Sequence, residues 1–340
     1  MALDRRTVVA LAVRSDRRIR IASTDQDELA EISLDDLDPE TLHGWPQYPL
    51  GVAWALGQLG IDLQAVPGLD LFIESDVPVG VRMGSSVALC SAVALALNDA
   101  WQCGADRFTL ARACSRSESL AHGEDVGLGP ALAALTGKAD HGVLFDGRSK
   151  DFELVPLRFQ EAHFTMLVVV SHGAPASHPP LQERLSGIEA VGDALTVRSP
   201  RDIGVADLAK LQKTKGLPDG ARELVRHVVR ENQRVLDTVR TLREEGPEAI
   251  GQLLLDSHHS LAEVFGPHSR EIGLALDTAL EHGAVGGRLL GHHESTSVMA
   301  LVPEDSVSRI CQAFDAAFSE HGFEIPDVYV SYPSDKATRH

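Results

Sequence analysis

The stretch Asp76–Leu97, DVPVGVRMGSSVALCSAVALAL, decides the reading of the fold. It reads as the end of a strand, a glycine-containing turn closing on Gly84-Ser85-Ser86, and a long apolar helix. That order makes a cradle for phosphate. The first backbone N–H groups of a helix lack intrahelical partners and carry partial positive charge, so they hold anions. Glycines let the backbone approach a phosphate closely. Serine hydroxyls ligate a hard cation or cap the helix. Gly80, Arg82, Gly84, Ser85 and Ser86 are the expected nucleotide contacts, and the chain is expected to be a nucleotide-binding enzyme. The bland alternative is a capped core helix with no ligand.

Outward from the turn, Leu69–Ser75 is expected to be the strand that feeds it, and Val87–Ala100, apolar nearly all round, a buried helix. Upstream, Thr7–Val13 and Arg18–Ala22 read as strands joined by the turn Arg14–Arg17, and Trp45–Leu59 as a helix. Downstream, Thr109–Ala121 reads as a helix, and His141–Phe145 and Phe152–Val155 as strands. Phe164–Val170 is a continuous apolar run of buried-strand type. Ser171–Pro180 is loop by its Gly and Pro content. Helices are expected over Glu183–Leu195, Ala221–Glu245, Pro247–Glu263 and Ser269–Glu281, and closing strands over Val298–Val302 and Val328–Ser331. The polar tail Ser334–His340 is expected to be mobile.

A length of 340 residues allows one large domain or two smaller ones. The net charge of −18 argues against nucleic acid or an anionic membrane as partner, since both need a basic face. It leaves ATP open, which needs only a local positive pocket. Cys90, Cys103, Cys114 and Cys311 form no C-x-x-C pair, so neither a disulfide framework nor a zinc site is indicated. The N-terminus has no uninterrupted apolar segment of signal-peptide type, and no apolar run reaches spanning length. A soluble cytoplasmic protein is expected.

These segments in order resemble galactokinases, within the GHMP group of small-molecule kinases, over nearly the whole chain. Met1–Ser23 is similar to that family's strand pair, and Trp45-x-x-Tyr48-x-x-Gly51-Val52 to the helix that follows. Val77–Ser86, VPVGVRMGSS, resembles the phosphate loop Pro-x-Gly-x-Gly-Leu-Ser-Ser-Ser. Thr136–Ser149, Arg226–Asn232 and Leu253–Ile272 also follow the family pattern. The resemblance implies an α+β, two-domain GHMP kinase fold. An N-terminal α/β domain over residues 1–160 would carry the phosphate loop, and a C-terminal ferredoxin-like domain would occupy 161–340. It implies ATP and Mg²⁺ as cofactors and a hexose as substrate.

By count along the match, Glu118 falls where these kinases carry the metal-binding glutamate, so Ser86 and Glu118 are the candidate Mg²⁺ ligands. The alternative is a solvated glutamate on a helix face. Arg82 stands where the family has glycine; it either crowds the phosphates or binds them through its guanidinium. Pro130 occupies the position of the catalytic aspartate, and Glu124 and Asp125 are the nearest acids. The family's Arg-Val-Asn-Leu-Ile-Gly-Glu-His-Thr-Asp-Tyr sugar motif falls upstream of the segment matching Met1–Asp4. In a second sugar motif only Arg184 is kept, with Leu181 at the tyrosine position. The glycine-rich motif reads Gly291-His292-His293-Glu294-Ser295-Thr296, where the two histidines and Glu294 are either a new acid–base cluster or an unspecialised loop. His258 is expected to be a packing or hinge residue. The implied function is transfer of the γ-phosphoryl group of ATP to the 1-hydroxyl of galactose or a related sugar, with impaired catalysis. The alternative is an inactive relative that binds nucleotide or a partner. Without the leading strand, the N-terminal sheet is expected to leave an edge or face uncovered for a protein partner or a second copy.

Overall fold

Two units organise the chain: residues 1–156 with 331–340, and residues 157–330. The structure, a computed structural model, describes residues 1–174, 190–195, 197, 202–266, 268–291 and 295–339. The first unit opens with β1 (Ala2–Leu3), β2 (Thr7–Val13), β3 (Arg18–Ser23) and β4 (Gln26–Ser33), then α1 (Gln47–Gln58) and β5 (Leu69–Ser75). It continues through α2 (Ser85–Ala100), α3 (Arg107–His122) and α4 (Gly129–Thr136) to the hairpin β6 (His141–Phe145) and β7 (Phe152–Pro156).

The main sheet has the order β2-β5-β3-β4. β5 runs antiparallel to β2 and parallel to β3, while β3 and β4 are antiparallel. The expected pairing of Thr7–Val13 with the next strand is therefore corrected: β5 lies between them. Charge and backbone both favour that arrangement. Asp70 on β5 accepts from Arg14 and from Arg20 at 2.6–2.9 Å, which ties it to both neighbours. At Gly68 a Cβ would lie 2.3 Å from the Arg18 carbonyl, so only glycine lets β5 enter this gap. Leu69, Leu71 and Ile73 alternate onto one face and meet Val52, Leu56, Val93 and Leu97 from α1 and α2 in the core. β2 is an edge strand, and Leu11 and Val13, which pair with Leu71 and Leu69, are 37% and 60% exposed. The core-side face is thus incomplete at that edge.

The second unit contains β8 (Phe164–Val170), α5 (Ala221–Glu244), α6 (Gly251–Phe265), α7 (Arg270–Glu281), β9 (Gly286–Leu289), β10 (Ser297–Pro303), α8 (Val307–His321) and β11 (Asp327–Ser331). Its sheet has the order β11-β8-β10-β9, with β10 antiparallel to β8 and β9. Ile272, Leu276 and Ala279 of α7 and Ile310, Phe314 and Phe318 of α8 share a core with Leu167, Val169, Val298 and Ala300 of the sheet. Paired helices on a four-stranded sheet give the ferredoxin-like layering, and the two units together the α+β fold. The Glu183–Leu195 helix is helical over 190–195; residues 183–189 lie outside the described residues.

The tail departs from expectation. Pro333–Ser334 forms β12, paired with β1. Beyond it, Lys336 N–H donates to the Gly137 carbonyl (3.0 Å) and Ala337 N–H to that of Ala134 (2.9 Å). Arg107 donates to the Ala337 carbonyl (2.8 Å). The polar tail docks through its backbone and through the Asp335 side chain, whose Oδ1 accepts Ala139 N–H at 2.9 Å. It also returns residues 331–340 to the first unit, where a division at 160/161 would leave them in the second.

Candidate active site

Between β5 and α2 the sign of φ alternates. Gly80, Arg82 and Gly84 have φ of +83°, +61° and +83°, and Val81 and Met83 are not among the residues of positive φ. Alternation of this kind turns successive N–H groups into one concavity, which suits an anion. Gly84 is the N-cap of α2 and supplies no side-chain hydrogen bond, so the helix's first N–H groups have no capping side chain. The expected contacts Gly80, Arg82, Gly84, Ser85 and Ser86 all fall on this one turn. α2 begins at Ser85, two residues earlier than Val87, because a glycine in the left-handed region starts the helix at once.

Glu118 is carried to the turn by α3. That helix is capped by Asp106, which accepts from Thr109 N–H at 2.7 Å, and ends at Gly123 with φ +72°. Glu118 is 1% exposed, which removes the solvated-face alternative. Ser86 Oγ donates to its Oε1 at 2.7 Å, while Oε2 is buried with no hydrogen-bond partner. Burial pushes the carboxyl up from the ordinary range, and the Ser86 hydroxyl opposes that shift. A buried carboxylate oxygen with no donor is costly unless a cation or proton meets it. A hydroxyl and a carboxylate at one point are hard oxygen donors that fit Mg²⁺, which commonly takes one or two protein carboxylates and completes its shell with phosphate and water. Among the described residues no group of three or more His, Cys, Asp or Glu is assembled, so the phosphates would have to supply the rest.

The seating of Glu118 depends on its neighbour. Ser117 Oγ donates to the Tyr48 carbonyl at 2.6 Å, and a Cβ on Gly51 would lie 2.4 Å from that oxygen. Sequence reading quoted Gly51 but missed Ser117; the one available signal was its place beside Glu118. Cys90 and Cys114 are buried close by, and burial raises both thiols, Cys114 to about 12, so they are inert packing groups.

Pro130 lies exposed in the first turn of α4, where a missing N–H costs nothing. Asp125 uses Oδ1 to accept Gly127 N–H at 3.0 Å, closing the preceding loop, and Glu124 is exposed. In the second unit His258 is buried, and its Nδ1 accepts Leu289 N–H at 3.2 Å, binding α6 to β9. Burial, then His268 and His259, hold it down at about 3, so it stays neutral and serves as an acceptor. Arg184, Leu181, His292, His293 and Glu294 lie outside the described residues.

The GHMP kinases N terminal domain matches residues 47–138, and the GHMP kinases C terminal family matches 238–320. The galactokinase of Streptomyces coelicolor is 34% identical over 342 residues, covering 99% of this chain and 87% of its own. This chain belongs to the galactokinase family. Another galactokinase, from Mycobacterium tuberculosis, is also 34% identical, covering 99% of this chain and 92% of its own. Among solved structures, Lactococcus lactis galactokinase complexed with galactose superimposes with a TM-score of 0.88 at 20% identity, over 99% of this chain and 88% of that one. A mevalonate kinase shares the fold at a TM-score of 0.67, 15% identity, over 99% of this chain and 92% of that one. As a galactokinase relative the chain is a sugar-kinase-like protein with ATP use implied by family. Among the described residues no helix is long and apolar enough to cross a membrane.

Proposed function

We propose that this chain binds ATP·Mg²⁺ on the turn Gly80–Ser86 and transfers the γ-phosphoryl group to the 1-hydroxyl of galactose or a related hexose, slowly. The observation that carries the reading is the pairing of Ser86, in the first turn of α2, with the buried Glu118, whose Oε2 has no hydrogen-bond partner. In that reaction the hydroxyl oxygen bonds to the γ-phosphorus, the bond to the β–γ bridging oxygen breaks, and ADP leaves. The N–H groups of the turn and a metal held by Ser86 and Glu118 would neutralise the phosphates. The hydroxyl proton needs an acceptor, and the Pro130 side chain has none, so it passes to water. Loss of a general base costs about 10²–10⁴-fold.

A second reading, nucleotide or partner binding without transfer, is favoured by Pro130 and by the engagement of Asp125 with Gly127. A protein contact would then form on the β2 edge, where Leu11 and Val13 stand exposed. Both readings suit a cytoplasmic setting. Calorimetry with ATP·Mg²⁺ followed by galactose, and phosphorus NMR for the sugar phosphate, separates them. Binding with slow product supports transfer; binding with no product across a hexose panel supports the second reading; no binding overturns both. In the transfer reading Pro130→Asp raises turnover by about 10²-fold or more, at no cost to α4, since an acid in the first turn suits the helix dipole.

A further inference from the structure

We propose that Arg82 is a phosphate ligand that substitutes for the metal ion, so that this chain holds a nucleoside triphosphate with or without Mg²⁺. The inference rests on the nucleotide reading above and adds what grips the phosphates. From Val77 to Asn98 the only charged residue is Arg82, in a chain of net charge −18. Its backbone lies at φ +61°, a left-handed region that strains a side-chain-bearing residue and that Gly80 and Gly84 adopt freely. Among the described residues Arg82 makes no hydrogen bond or ion pair, and it is exposed. A Cβ on Gly80 would meet nothing within 4 Å, and one on Gly84 only Val87 at 3.9 Å, so the turn is open at both glycines that flank Arg82.

The acid that meets the turn, Glu118, strengthens the case. Its Oε2 is buried and unpartnered, and its Oε1 is bonded to Ser86 in the first turn of α2, so a cation held there would lie at the helix end that the Arg82 turn leads into. A metal on Glu118 and the Arg82 guanidinium thus compete for one set of phosphate oxygens, and each makes the other less necessary. A charge-assisted contact of this kind contributes about ten- to a hundredfold in affinity.

The test is calorimetry of ATP binding to the full chain, Arg82→Gly and Glu118→Gln, each with excess Mg²⁺ and with EDTA. Melting by circular dichroism checks the fold; glycine relieves the left-handed residue, so Arg82→Gly is expected to fold. Removing Mg²⁺ should weaken the parent chain by less than about tenfold and Arg82→Gly by about a hundredfold. Glu118→Gln should lose the Mg²⁺ dependence and keep the EDTA affinity. A structural role for Arg82 would not move the metal dependence. Equal metal dependence in the parent and Arg82→Gly overturns the proposal. If Arg82→Gly binds ATP and the parent does not, Arg82 obstructs the site, and only the nucleotide reading survives. If no protein binds in either condition, both fall.

Discussion

Glu118 carries the conflict on which the site is built. The folded chain buries a carboxyl and gives it one donor, Ser86. Its raised pKa means that the folded state holds a proton to higher pH than the unfolded chain does. Stability therefore falls as pH rises from the ordinary value through the raised one, and the loss is complete above it. Glu118→Gln keeps an acceptor for Ser86 and removes the charge. Its melting temperature at neutral pH should equal or exceed that of the parent, with a flatter dependence on pH. Mg²⁺ needs the charged form, so stabilisation of the parent by ATP·Mg²⁺ should be larger at about pH 8 than at about pH 5. Thermal scans of both proteins at the two pH values check this; a parent stabilised equally at both would remove Glu118 as the metal ligand. Counting along the chain nominated Glu118, but its burial was not legible. Its neighbours Ser117 and Ser119 are polar, and the burial comes from α1 and α2, distant in sequence.

At the scale of elements, close backbone approach sets the positions. Gly51 lets α1 rest on Ser117 of α3, and Gly251 lets α6 reach β9, where a Cβ would lie 2.0 Å from the Val285 carbonyl. Gly51→Ala should cost about 1–3 kcal/mol through overpacking. It should also weaken ATP·Mg²⁺ more than ATP in EDTA, because the displaced helix is the one that bears Glu118. Denaturant unfolding and calorimetry measure the two effects; a stability loss with unchanged metal dependence would mean that α3 does not set the metal ligand. Most elements were legible from pattern: β5, β6 and β8 have the expected limits, because each is an apolar or alternating run between turn signals. The neighbours of β2 and β3 were not. A short turn between two strands suggests a hairpin, whereas β5 pairs with both β2 and β3 and comes between them, with Asp70 bonded to both sides and Gly68 giving it room.

For the whole molecule, the C-terminal tail closes the first unit. Among the described residues four hydrogen bonds hold it beyond Ser334, those of Lys336, Ala337 and Arg107 and Ala139 N–H to Asp335 Oδ1 at 2.9 Å, with an exposed Arg339–Asp99 ion pair at 3.5 Å. Truncation after Ser334 should destabilise the first unit by about 1–3 kcal/mol, at about 0.5–1.5 per bond less the entropy released. Hydrogen exchange should show the loss over α3, α4 and β6 and not over α7 or α8; uniform loss or none would contradict this docking. The sequence by itself determined the family and the two-domain α+β plan, and it nominated the turn Gly80–Ser86 for phosphate and Pro130 as the residue at the family's aspartate position. Those follow from local pattern and from the order of segments. Tertiary structure alone decided that Glu118 is buried with a free oxygen, that β5 separates β2 from β3, and that the tail is docked. Each of these depends on atoms brought together from distant parts of the chain, whose desolvation and packing no local pattern records.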